Sequence, residues 1–467
     1  MKTNSRALVT LISVFFFWGF VAAGNDILIP VFKAKLDLSQ SQSMMIAWVF
    51  YIGYTAGSII YLLISALLKK DVLHAIGYKK GISFGLVVSA LGTLLFYPAA
   101  EYVSFGLTLA GLFIVALGFS LQQTAANTLA VIIGDPADGN KRLSLAGGVN
   151  NIGTTIAPLI INYAIFGSSS GVDAAAIEIS SVKIPYLALG VLFVIAAVVF
   201  YVSRIPEQRA ETEEPGTAVS GKKAWNYTQL LLGMPAIFLY VGVEVSTAAN
   251  LPEFMKHELG YSEGDVAPFV ALFWGSLMIG RWTAAADAFS LSSMARKILG
   301  LVLPFAAFGL FIVANLIAGK DVSMFMWYPL VIVVLIVANL ISRGNAARQL
   351  LLYSGLGIAA LLLGMFSPDP YISVFAFISV GLFCSTLWPC IFTLAIAGLG
   401  KAANQGSSFL VMMIMGGGWI SLMQGVLASE NFLGIRYSYV MGIICFAYLA
   451  FYAVSVKRIL QKQGVKL

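Results

Sequence analysis

A carboxylate inside an apolar run is the first residue that asks for an explanation. Asp26 lies within Phe15 to Phe32, FFFWGFVAAGNDILIPVF, a stretch otherwise apolar and close to the length that crosses a bilayer. An ionisable side chain at such depth is costly, so it faces a cavity or a partner and marks a path for an ion or substrate. Burial and neighbours tune when a carboxyl releases its proton, which places Asp26 to act as a coupling site. The plainer alternative is that Asn25 and Asp26 cap a helix break ahead of Pro30 at the outer membrane face. Glu244 poses the same problem in the middle of a later apolar run. Gln123 and Asn127, four residues apart, share one helix face. Together with Asn150 and Gln424 they offer planar amides that both donate and accept hydrogen bonds. Rings such as Trp18, Trp274 and Trp388 add flat apolar surface. Amides beside aromatic rings suit a polyhydroxylated ring, although for Gln122, Asn127 and Asn151 plain interhelical hydrogen bonding competes with that reading. Arg281, after Gly280 at the inner end of its run, reads as an anchor or the partner of a gating acid rather than as a substrate contact. No nucleophile–base pair or metal-ligand cluster is visible, which argues against an intramembrane enzyme, and no cofactor is implied.

The elements that must hold these residues follow from composition. The chain has 467 residues, of which 59% are hydrophobic and 10% charged, with a mean hydropathy of +0.90. That composition describes an all-α polytopic membrane protein. Cys384, Cys390 and Cys445 all lie in apolar runs, so no disulfide framework is indicated. His74 and His257 fall in loops, which argues against a haem or zinc site within the membrane. The net charge of +7 sits in short loops, where it reports orientation rather than nucleic-acid binding.

Six apolar runs occupy the first part of the chain, near 8–33, 42–68, 80–99, 104–133, 143–167 and 184–204. The first continues well past Val21-Ala22-Ala23, so it reads as a span rather than as a secretory signal. Residues 1–204 therefore form one six-helix bundle. Residues 205–227, charged and rich in turn formers, form a cytoplasmic linker. The rest of the chain, 228–467, carries eight runs, near 229–254, 263–287, 297–318, 325–342, 349–366, 371–397, 404–428 and 434–456. Alternate loops hold 21 and 6 of the Lys and Arg residues, which puts both termini in the cytoplasm and requires an even number of spans.

The halves also repeat one another. A shift of 222 residues aligns Phe16, Trp18, Pro30 and Phe32 with Phe238, Tyr240, Pro252 and Phe254. Internal duplication of this kind marks secondary transporters, with substrate held near the midplane between the halves. The motifs WGFVAAGNDILIP, LQQTAANTLAVIIG, RLSLAGGVNNIG, LYVGVEVS and FWGSLMIGR, with LFCSTLWPCIFTLAIAGLG and SSFLVMMIMGGGWISLMQG towards the C-terminus, carry a resemblance over nearly the whole chain. It is to the fucose/glucose/galactose:cation symporter family of the major facilitator superfamily.

The resemblance implies two pseudo-symmetric six-helix bundles and symport of a monosaccharide with a proton or sodium ion by alternating access, in a bacterial inner membrane. The family's coupling aspartate falls on Asp26 and its fifth-span asparagine on Asn150. The second membrane carboxylate of the fucose branch falls on Gln123, which resembles the glucose/galactose branch and weakens a two-carboxylate relay. Asp26, Gln123, Asn127, Asn150, Glu244, Trp274 and Gln424 form the expected substrate site, with Arg281 at a gate. The superfamily's cytoplasmic signature falls on LKKDVLHAIGYKKG, with an apparent insertion around Asp71 to Ile76. A sodium-coupled symporter, a sugar sensor that does not transport and a drug:proton antiporter are the alternatives.

Twelve family spans leave two runs over. FWGSLMIGR and LFCSTLWPC bracket three runs where one is expected, and 349–366 leads directly into the tenth family span. The insertion is therefore a hairpin at about 297–342, giving fourteen spans. With no polar residue at the centre of either helix, it is expected to line no pathway and to meet lipid or a second copy of an otherwise monomeric protein.

Overall fold

The computed structural model describes residues 8–20, 40–135, 138–166, 183–203, 223–261, 263–285, 293–317 and 319–465, and all of its regular structure is helical. Asp26 and residues 205–222 of the linker lie outside the described residues. In the first half the helices are α1 (Leu8–Phe20), α2 (Gln40–Leu67), α3 (Val72–Ile76), α4 (Tyr78–Leu94), α5 (Phe96–Glu101), α6 (Phe105–Ile132), α7 (Gly139–Phe166) and α8 (Lys183–Val202). The second half begins with α9 (Thr228–Leu259), α10 (Glu263–Ala285), α11 (Ser293–Ile317), α12 (Pro329–Ser342) and α13 (Ala346–Phe366). It ends with α14 (Pro370–Cys384), α15 (Leu387–Ile396), α16 (Ala403–Met412), α17 (Gly416–Leu427), α18 (Gly434–Tyr437) and α19 (Val440–Lys462). Eleven helical segments among the described residues are long and apolar enough to cross a membrane, so this is an integral membrane protein.

Local chemistry sets the helix ends and breaks. Ser104, Asn345 and Asp369 cap α6, α13 and α14 by accepting the N–H groups of Leu107, Arg348 and Tyr371. Gly260, at φ 66°, closes α9 in the left-handed conformation that glycine adopts without strain. Two of the expected uninterrupted spans are broken. The run 371–397 divides into α14 and α15, because Pro389 has no N–H to give to the carbonyl four residues earlier, that of Ser385. The run 404–428 divides at Met413–Met415, a turn of 3₁₀ helix just ahead of Gly416-Gly417-Gly418.

Two compact units make up the chain. The first comprises Met1–Asp135, Val149–Ala224 and Leu399–Met412, and the second Pro136–Gly148, Trp225–Gly398 and Met413–Leu467. Within the first, α4 packs on α6 and α8, and α2 on α6. Small residues permit this: a Cβ on Gly118 would strike Ser89 and the Gly85 carbonyl, and one on Gly57 would come 2.7 Å from the Ser120 Cβ. α16 lies on α2 and α6. Asn404 donates to Asp71 at 2.9 Å and accepts from Tyr78 at 2.6 Å, while Ser407 and Ser408 bond the Thr124 and Ser58 carbonyls. The expected loop at Asp71 to Ile76 contains the short helix α3, capped by Asp71, which also accepts from Tyr61 at 2.7 Å.

Within the second unit, α10 packs on α14, α13 on α14 and α19, and α9 on α17. The first three of these pairs repeat the first unit's α2–α6, α4–α6 and α4–α8 contacts, with α13 in the place of α4. The helices α11 and α12 have no counterpart there among the described residues. They rest on α10 and α14 through an aromatic cluster in which Phe325 meets Phe269 at 5.0 Å and Phe311 at 5.5 Å. The hydroxyls of Tyr328 and Ser276 bond at 2.7 Å. Ile298, Leu301, Val302, Val333, Val334 and Val337 are exposed on the same two helices, an apolar surface of the kind lipid covers.

Candidate functional site

In the first unit, Gln123 and Asn127 project from the half of α6 where buried residues run without interruption from Gln122 to Val131. Gln123 is 8% exposed, and its Nε2 donates to the Tyr54 hydroxyl at 2.9 Å. The Tyr54 side chain, 3% exposed, also bonds the Trp18 side chain. Indole N–H and amide NH₂ groups only donate, so the phenol oxygen accepts from both and its own proton remains to be given. Gln123 Oε1 is an acceptor on the same amide, and the Tyr54 O–H is a donor beside it. Rings wall the pair: Phe119 lies 5.7 Å from Trp18 and 6.2 Å from Phe50, and Phe50 lies 5.2 Å from Tyr54. One turn along, Asn127 is buried and its Nδ2 meets no acceptor among the described residues. Asn150 donates to the Phe15 carbonyl at 2.8 Å. That bond ties α7 to α1, where Gly19 allows close approach. Gln122 behaves as interhelical glue, bonding Ser89 at 2.9 Å, and Asn151 is buried.

In the second unit the centre is charged. Tyr240, one turn earlier on α9, donates to Glu244 Oε2, and its ring stands 6.4 Å from that of Trp388. Arg281 of α10 sets an opposite charge within electrostatic reach of Glu244. Its Nε donates at 3.0 Å to the Ser385 carbonyl, the one that Pro389 leaves without a helical partner. Its Nη1 donates to the Gly147 carbonyl at 3.4 Å, and Trp282 Nε1 to the Gly148 carbonyl at 3.2 Å. Gly280 lets α10 come this close, since a Cβ there would collide with the Ser385 hydroxyl.

The structure brings together Gln123 with Tyr54, and Glu244 with Arg281. Among the described residues, it does not bring the other candidates into those clusters. Trp274 is 42% exposed on α10 against the ring of Phe273, and Gln424 is buried in α17 with its amide on Ser438 at 3.5 Å. Tyr54 and Tyr240 went unnoticed in the sequence, where a tyrosine in an apolar run looks like packing. Tyr240 did carry a signal, since it aligns with Trp18 across the repeat.

A helical chain of two units with repeated packing, polar clusters buried in each and apolar helices around them has the build of a membrane transporter. Residues 72–342 match the model of the Major Facilitator Superfamily, and the chain belongs to that superfamily. A glucose/galactose transporter of Brucella abortus biovar 1 (strain 9-941) is 34% identical over 456 residues, 97% of this chain and 94% of that protein. The L-fucose-proton symporter of Escherichia coli (strain K12) is 27% identical over 462 residues, 95% of this chain and 91% of that protein. The crystal structure of the transporter FucP in the outward conformation has the same fold, with a TM-score of 0.72 at 24% identity, covering 96% of this chain and 98% of that one.

Proposed function

We propose that this chain is a secondary active transporter that carries a monosaccharide together with a cation by alternating access. The favoured substrate is a hexose of the glucose/galactose type rather than fucose, and the favoured cation a proton rather than sodium. The Gln123–Tyr54 pair carries this reading: a buried amide acceptor and a phenol donor, walled by Trp18, Phe50 and Phe119, suit adjacent sugar hydroxyls and the apolar face of a sugar ring. The names of the relatives support it further. Asp26 is assigned the coupling proton, Asn127, Asn150, Trp274 and Gln424 the remaining sugar contacts, and Arg281 the inner gate. The same proposal places the protein in a bacterial inner membrane with both termini in the cytoplasm, from the Lys and Arg asymmetry of its loops. Counterflow in proteoliposomes tests it. Preloaded unlabelled hexose should drive transient uptake of labelled hexose, whereas a sensor would bind sugar without exchanging it.

A further inference from the structure

Resting on the transport reading above, we propose that Glu244 is a second protonation site, in the second unit, which takes up a proton with the sugar and is neutral when sugar is bound. Gln123 holds a position where a carboxylate would titrate, so the first unit's buried α6 cluster has no ionisable acid. Glu244 supplies one in the other unit. Among the described residues it is the one acidic side chain more than two turns from the end of a long helix, at the middle of α9.

Its surroundings accept both of its charge states. Tyr240 donates to the carboxylate, and the same phenol oxygen can accept from a carboxyl once the proton has arrived. Arg281 acts on the acid through its charge, while its guanidinium donates to the Ser385 and Gly147 carbonyls. Protonation of Glu244 therefore does not strip the arginine of its hydrogen bonds. A structural ion pair would instead have the two side chains as each other's main partners, and losing one charge would leave the other stranded.

The other titratable groups nearby are few. Cys384 of α14 lies within electrostatic reach of both Glu244 and Cys445 of α19. Tyr448 and Tyr452 of α19 bond the Leu232 and Gln229 carbonyls in the first turns of α9, and Arg436 pairs with Glu258 at its far end. Cys390 of α15 bonds Gln349, and α17 contains no titratable residue. The repeat adds an independent point. Under the 222-residue offset Glu244 aligns with Ala22 (22 + 222 = 244) and Asp26 with Ala248 (26 + 222 = 248), so each copy of the first repeated span has one acid ahead of its aligned proline, Pro30 or Pro252, and the two positions differ by about one helical turn. In the cycle, a proton from the outer side joins the Glu244 carboxylate as sugar binds, and it leaves to the inner side once the sugar has gone.

Infrared difference spectra of the full-length protein in lipid, with glucose or galactose minus without, test this together with proton uptake in weakly buffered solution. The wild type should gain a protonated-carboxyl band on sugar binding, and Glu244→Gln should lose that band and take up fewer protons per sugar. Asp26→Asn should retain it. Glu244→Asp should move the band, which decides the matter even if Glu244→Gln does not fold. A band unchanged in Glu244→Gln or in Glu244→Asp overturns the proposal while leaving sugar transport intact. Wild-type protein that binds neither hexose would overturn the transport reading and this one with it.

Discussion

The two units carry similar helix frames around different chemistry. In the first, Gln123, Tyr54 and Trp18 form a neutral chain of donors and acceptors. In the second, Glu244 at the middle of α9 and Arg281 in the last turns of α10 bring an acid and a base within electrostatic reach of each other. The α2–α6 and α10–α14 packings are alike, and in both a glycine admits the close approach, Gly57 against Ser120 and Gly280 against Ser385. What separates the units is one proline. Pro389 frees the Ser385 carbonyl and so creates a seat for a guanidinium, whereas α6 runs unbroken from Phe105 to Ile132. A duplicated frame can thus devote one copy to recognising hydroxyls and the other to handling charge.

The largest expected effect comes from removing charge on the first unit's side. Asp26→Asn should abolish gradient-driven sugar accumulation while leaving counterflow measurable, because the amide keeps the shape and cannot titrate. Native accumulation ratios in vesicles would remove Asp26 from the coupling role. Next come the neutral contacts. Gln123→Ala and Asn150→Ala should each weaken sugar binding by roughly 1–3 kcal/mol, the cost of leaving a buried partner unsatisfied. Calorimetry giving native affinity for both would move the sugar site elsewhere. Gln123→Glu blurs the contrast between the units directly. It should leave the fold intact and add a further titration to the pH dependence of sugar affinity, and a pH profile identical to the parent's would deny that Gln123 faces substrate.

The smallest effect concerns the added hairpin. Single cysteines at Asp321 and Gly344 should react with an impermeant maleimide from opposite sides of the membrane, without loss of uptake. Same-side labelling would exclude the fourteen-span topology.

Much of this was legible before any fold was known. Long apolar runs announce membrane helices, and Gln123 and Glu244 stand out inside them because polar groups there need a reason. The aromatic and proline matches at one offset exposed the duplication. Hydropathy is blind to other features. A run such as 371–397 reads as one helix, because a window of apolar residues does not register which carbonyl Pro389 orphans. Tyr54 looks like the packing tyrosines around it until the fold sets its hydroxyl 2.9 Å from Gln123. Arg281 was legible as an anchor, but its two carbonyl partners come from α7 and the α14–α15 break, segments distant in sequence.

The central claim is sugar movement driven by a cation gradient. Uptake of radiolabelled glucose, galactose, fucose and mannose into proteoliposomes, with the proton and sodium gradients collapsed separately, measures it most directly. Accumulation of glucose or galactose that is lost when the proton gradient is collapsed, and kept when the sodium gradient is collapsed, is the predicted result. Failure to accumulate any of the four sugars under either gradient would contradict it.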